Sequence, residues 1–192
     1  LAPLVLVTYF LGFSIAGQYR VIEQIINLFR TFSQVFLKFF YAQSCFKFMT
    51  DIKMGWNFWK KYTAMNIVIV GSALIVIAFF FTEVLRFFHL SENTIVALNV
   101  LFQIALVISF LMSITLPLEQ LMFIQDKNQI YIKITIFVTV LNIVLLLVLI
   151  HRLELLGVIT TLIIAELFFI TFYFYNAFLH TKQLIKNENH LT

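Results

Sequence analysis

Arg20, Gln24, Asn27, Thr31, Gln34 and Lys38 stand 4, 3, 4, 3 and 4 residues apart. On an α-helix they fall within roughly 80° of one another, and Glu23 and Arg30 widen the arc to roughly 120°. The opposite arc carries Ile22, Ile25, Phe29, Phe32, Phe36 and Phe40. The rise from Arg20 to Lys38 is roughly 27 Å, nearly the depth of a bilayer's hydrocarbon core. Arg20, Arg30 and Lys38 against Glu23 leave two positive charges in excess, so an aqueous cavity with this wall favours an anionic cargo. Its chemistry is binding; no covalent step is required of it.

Three arrangements suit such a helix. It can lie flat in the membrane interface, pack its polar face against other helices, or line a water-filled cavity. Lipid exposure of ionisable groups costs several kcal/mol each, which favours the third. Outside the stripe, Asn66, Asn99, Gln103 and Asn142 read as residues that hydrogen-bond between helices. Glu166 is a lone carboxylate at mid-segment, so it is protonated, paired with a base, or part of an ion-coupling site. Glu166 and Asn142 are therefore the candidates for coupling to a proton or sodium ion. Glu119, after Pro117 at an expected helix end, reads as solvated at the interface.

Other chemistry finds no support. Cys45 is the single cysteine, and His89, His151, His180 and His190 are scattered without ligand spacing, so no metal site is expected. No Gly-rich phosphate loop, HExxH or GxSxG motif occurs, which argues against a cofactor and against an enzyme. The net charge of +4 is accounted for by the stripe and by membrane topology, not by nucleic-acid binding.

The elements that position these residues follow from composition. Hydrophobic residues make up 62% and charged residues 11% of 192 residues, with a mean hydropathy of +1.00. That surplus of apolar surface must face lipid. The chain reads as an all-α polytopic membrane bundle of about six segments: 1–16, 21–40, 63–82, 95–116, 131–150 and 155–178, followed by a tail at 179–192. Gly12 and Gly17 flank the first turn, and Asp51, Gly55 and Asn57 mark the second link. Ser91 or Asn93 can cap the fourth segment, and Pro117 is expected to close it. His151–Glu154 is a short link between antiparallel neighbours.

Six crossings place Lys47, Lys53, Lys60, Lys61, Lys127, Lys133, Lys182 and Lys186 on one side, and Arg86 and Arg152 on the other. The positive-inside rule makes the Lys-rich side and the C-terminus cytoplasmic. Laying 21–40 flat in the interface would invert every later link. Trp56, Trp59 and Tyr62 among the lysines of 47–62 suit anchoring at headgroup level.

The stretch FLGFSIAGQYRVIEQI, with Gly17-Gln18-Tyr19 before the polar helix, resembles a link in bacterial polysaccharide (O-antigen) flippases. In that family the link joins the seventh and eighth helices. The stretch ITIFVTVLNIVLLLVLIHRLELLGVITTLIIAE resembles the family's penultimate hairpin, through Asn142, Ile143, Leu145, Gly157 and Glu166. EQLMFIQDKNQIYIKI is similar to its cytoplasmic link, with Gln125-Asp126 where a glycine is usual. Ala42-Gln43 likewise stands where the family often has a proline.

The resemblance covers essentially the whole chain, as the C-terminal half of a roughly twelve-helix protein of the MATE-like exporter superfamily. The chain's start at Leu1, inside an apolar run, agrees with a missing N-terminal half. The resemblance implies two six-helix lobes around a cationic central cavity in the bacterial inner membrane. It implies ion-coupled flipping of a polyprenyl-pyrophosphate-linked oligosaccharide, with Arg20, Arg30 and Lys38 lining the lumen. Polysaccharide assembly proteins are the expected partners. The alternatives are an ion-coupled small-molecule exporter of the same superfamily and a non-catalytic part of a polysaccharide polymerase or assembly complex.

Overall fold

The computed structural model describes residues 2–87 and 92–191, with 179–191 as helical backbone. The expected cap Ser91 and His89 lie outside the described residues, as do the side chains of the other expected cap, Asn93, and of His180, Lys182, Lys186 and His190. The described residues form five helices: α1 (Ala2–Thr50), α2 (Ile52–Phe79), α3 (Phe81–Phe87), α4 (Glu92–Ile124) and α5 (Asn128–Leu191). The protein is an all-α membrane helix bundle, and α1, α2, α4 and α5 are long and apolar enough to cross a bilayer.

Two of these helices are divided by a single non-helical residue. In α1 it is Gly12, at φ +86°, a conformation that a Cβ would strain. In α5 it is Glu154, at φ +48° and ψ −127°. Below Glu154 the limbs 128–153 and 155–191 run antiparallel. Thr135 Oγ1 meets the Tyr173 hydroxyl at 3.0 Å, and Asn142 Nδ2 donates to Thr161 O at 3.4 Å. Gly157 permits this closure, because a Cβ there would lie 2.5 Å from Leu149 O. The short 151–154 link is thus a single-residue turn.

Several expected boundaries move. Gly17 does not flank a turn: it lies inside the helical limb 13–50, which continues past the expected end at 40. That limb rises about 57 Å, so it projects well beyond a hydrocarbon core of about 30 Å. The second link contracts to Asp51, whose carboxylate caps α2 by accepting from Lys53 N (2.7 Å) and Met54 N (3.2 Å). Gly55 and Asn57 lie within α2. Gly55 has a packing role, since a Cβ would sit 2.6 Å from Phe48 Cγ and 2.8 Å from Phe48 Cα. The third segment ends at Phe79 rather than 82, and Phe80 leads into the short α3. Residues 179–191, expected as a tail, continue α5 as helix.

Pro117 does not close α4, which runs on to Ile124. Proline lacks the N–H that would bond the carbonyl four residues back, here Ser113 O. Asn66 of α2 supplies the missing donor, Nδ2 to Ser113 O at 3.1 Å. Trp59 Nε1 donates to the carbonyl of Pro117 itself at 3.1 Å. The helix survives because its neighbour satisfies the freed backbone. It ends seven residues on, at Ile124; just beyond, Asp126 takes φ +55°, Lys127 N bonds Met122 O and Asp126 N bonds Phe123 O. This is a left-handed helix stop with aspartate in the usual glycine's place.

α4 touches every other helix. Around it lie two apolar clusters. One joins Tyr19, Ile22, Phe29, Val70, Leu74, Phe102, Ile108, Leu146 and Ile159. The other joins Leu37, Trp59, Tyr62, Leu116, Leu121, Met122 and Tyr173. Between them in sequence, on α1, α2 and α4, falls a buried polar layer that includes Ser33, Asn66, Ser109, Ser113 and Thr115. Gln120 ties three helices together, donating to Leu37 O (2.7 Å) and accepting from the Tyr62 hydroxyl (2.9 Å). These cross-links bring residues 37–62, 117–133 and 173–178 to one end of the bundle. Lys47, Lys53, Lys60, Lys61, Lys127 and Lys133 gather there, and His151 packs on Phe10 at the other end.

Candidate functional site

The limb 13–50 has three faces. Tyr19, Ile22, Ile25, Ile26, Phe29, Ser33 and Leu37 are buried against the bundle. Leu28, Phe32, Val35 and Phe39 are exposed, on an apolar arc suited to lipid. Phe32, on the arc opposite the stripe, is 41% exposed. The third face is the polar stripe. Arg20, Gln24, Asn27, Arg30, Thr31, Gln34 and Lys38 are all exposed, and Glu23 is half-buried. All eight residues therefore share a continuous open face along one side of this six-limbed unit.

Charge on that face is not evenly spread. Arg20 Nη1 and Glu23 Oε2 form an ion pair at 2.7 Å, one helical turn apart. The two charges in excess thus rest on Arg30 and Lys38, which form no ion pair among the described residues. Each of them borders a cavity. Lys38 and Gln34, with Tyr41, Glu119 and Phe123, line a groove of about 380 Å³ between α1 and α4. Arg30 lines a cavity of about 320 Å³ between α1, α4 and both limbs of α5.

The Arg30 cavity brings together residues far apart in sequence: Thr115 and Glu119 from α4, Tyr131, Thr135 and Asn142 from one limb of α5, and Glu166 and Tyr173 from the other. Glu166 and Asn142, singled out for ion coupling, therefore share one chamber with Arg30 of the stripe. Arg30 and Glu119 are near enough to act on Glu166 electrostatically. Glu119 is not merely solvated at an interface: it accepts from the Tyr131 hydroxyl at 2.8 Å and lines both cavities. The reason is that α4 continues through Pro117, which keeps Glu119 on a helical face.

Thr115 Oγ1 lies 2.6 Å from Glu166 Oε2 and 3.2 Å from Leu111 O. One hydroxyl proton serves one of these acceptors at a time. When Glu166 is ionised, Thr115 donates to the carboxylate. When Glu166 carries a proton, its carboxyl donates to Thr115, which donates to Leu111 O. The pair thus holds either protonation state with a hydrogen bond. The charge balance changes with it. Arg30 and Lys38 against Glu119 and Glu166 sum to zero with Glu166 ionised and to +1 with it protonated. The net-basic character read from the stripe alone is offset by carboxylates on the facing helices.

Tyr131, Thr135, Thr139 and Asn142 are spaced 4, 4 and 3, and Thr115 and Glu119 are 4 apart. That spacing is a signal in the sequence that could have marked the facing wall; it is sparser than the stripe because only Glu119 among these six residues is charged. Of the residues expected to bond between helices, Asn66 and Asn142 do so. Gln103 instead bonds Asn99 within α4, Nε2 to Oδ1 at 3.0 Å. Among the described residues no cluster of His, Cys, Asp and Glu forms a metal site. No protein-family model, curated protein or solved structure matches the chain.

Proposed function

We propose that this chain is one helical lobe of a transporter that flips a polyprenyl-pyrophosphate-linked oligosaccharide across the bacterial inner membrane. The Lys-rich end and the C-terminus face the cytoplasm in this reading. The observation that carries it is the open polar stripe. A face 27 Å long (roughly, at 1.5 Å per residue) with two free cations is unsuited to lipid, so it calls for water and a second polar wall opposite. Such a channel would shield sugar hydroxyls and pyrophosphate from hydrocarbon while the prenyl chain stays in the bilayer.

Arg30 and Lys38 would offset the pyrophosphate charge. Glu166 and Asn142, beside Arg30, would take the coupling proton or sodium ion, and its arrival would raise the cavity's affinity for the anion. Alternating exposure then follows from which conformation each ligand binds better. No bond is made or broken in this cycle. The test is Arg30→Ala in a strain that depends on the protein for surface polysaccharide. Loss of polysaccharide with unchanged protein in the membrane is expected; full complementation overturns the reading.

Glu119 and Glu166 in the same chamber favour a second reading, an ion-coupled exporter of small cationic molecules. In that case Glu119→Gln abolishes export and Arg30→Ala does not.

A further inference from the structure

A third charged cavity lies at the Lys-rich end, away from the stripe. It occupies about 730 Å³ in the closed corner of the α1–α2 hairpin. Lys47, Lys53 and Lys61 line it, together with the apolar Phe40, Met54 and Met65. Asp51 is the one carboxylate on its wall, and its oxygen is engaged by the Lys53 and Met54 backbone N–H groups. None of the three lysines forms an ion pair among the described residues, so the pocket keeps two positive charges in excess. Lys47 is held in place over the Phe58 ring, 3.9 Å from its centroid.

Polarity is graded along the cavity. Met54, Phe58, Lys61 and Met65 recur every three to four residues, so they share one face of α2. Lys61 is the last charge before the apolar run 62–79, and Met65 lies about 6 Å deeper. Trp56 and Trp59, stacked at 5.0 Å, sit at the same level, as aromatic residues do at a membrane interface. The cavity therefore straddles the hydrocarbon boundary, cationic outside and apolar inside. Met65 and Val68 continue the apolar surface in the exposed flank of α2, at 44% and 68% exposure.

The geometry points to a binding site for one anionic phospholipid, its phosphate held by Lys47 and Lys61 and an acyl chain laid along Met65 and Val68. A soluble phosphate would use the lysines but leave the apolar wall unused; a neutral lipid would do the reverse. Basic recesses between membrane helices are suited to anionic headgroups, each lysine strengthening attachment about fivefold. The inference requires only that the chain sits in a bilayer and does not rest on the transport reading.

The test uses the purified chain in nanodiscs of phosphatidylcholine with a minority of phosphatidylglycerol, with retained lipid read by native mass spectrometry. Preferential retention of phosphatidylglycerol is expected. It should fall by about tenfold or more in Lys47→Gln/Lys61→Gln and stay unchanged in Lys60→Gln/Lys133→Gln, which removes equal charge elsewhere. Equal losses in both variants, or no preference in the wild type, overturn the site. Displacement of the lipid by millimolar inorganic phosphate assigns the pocket to a soluble anion and also overturns it. Should the first variant misfold, a photoactivatable phosphatidylglycerol on the wild-type chain decides. Adducts within 40–68 support the site, and adducts elsewhere refute it.

Discussion

Asn66 in α2 donates to the carbonyl of Ser113 in α4 at 3.1 Å, the carbonyl that Pro117 leaves without its helical partner. The two features form a unit: the proline can sit inside a membrane helix because an amide from the next helix replaces its N–H. Asn66→Ala should cost about 1 kcal/mol. The loss should shrink in a Pro117→Ala background, where residue 117 regains an N–H for Ser113. A double-mutant cycle followed by helicity during detergent titration measures this, and strictly additive losses would sever the link.

Four glycines divide by what surrounds them. Gly157→Ala and Gly55→Ala place a Cβ 2.5 Å from Leu149 O and 2.6 Å from Phe48 Cγ, and each should destabilise by about 1–3 kcal/mol. Gly12→Ala has open space but a φ of +86° and ψ of 170°, and should cost about 1–3 kcal/mol in backbone strain. Gly17→Ala, helical and open, should be neutral or stabilise by up to about 1 kcal/mol. The ranking can be read from the same titration; a destabilising Gly17→Ala would mean that something packs on that face.

Glu166 and Thr115 make a separate prediction. If the chamber's charge is set by a cation arriving at Glu166, Glu166→Gln fixes the hydrogen-bonded, uncharged arrangement. Transport should then lose its dependence on pH, while binding of an anionic cargo analogue persists. Thr115→Val, which removes the bridging hydroxyl, should shift the pH profile without abolishing it. Transport measured over a pH series checks both; a wild-type profile in Glu166→Gln would dissociate this carboxylate from coupling.

Much of the fold was legible because lipid imposes a simple rule: apolar runs of about 20 residues become helices. The stripe, the antiparallel hairpin around 151–154 and the interhelical roles of Asn66 and Asn142 followed from spacing and type alone. What was not legible depended on neighbours. Proline's effect on α4 could not be read without knowing that Asn66 and Trp59 lay alongside. Gly12 and Gly17 are alike in composition, and only the path of the chain chose the first as the turn. The site was half legible for the same reason. The stripe's polar spacing marks one wall strongly, whereas its meeting with Glu119 and Glu166 depends on how three helices pack.

The central claim is that the stripe faces water while its flank faces lipid. Leu28 and Val35 are 63% and 64% exposed in this chain, and Gln24, Asn27 and Gln34 are exposed beside them. With Cys45 replaced by serine, single cysteines at these five positions can be probed in membrane vesicles of both orientations with a charged, membrane-impermeant thiol reagent. The account predicts rapid labelling at positions 24, 27 and 34 and protection at 28 and 35. Equal labelling of both sets, or protection of the stripe from both sides, would contradict an aqueous wall.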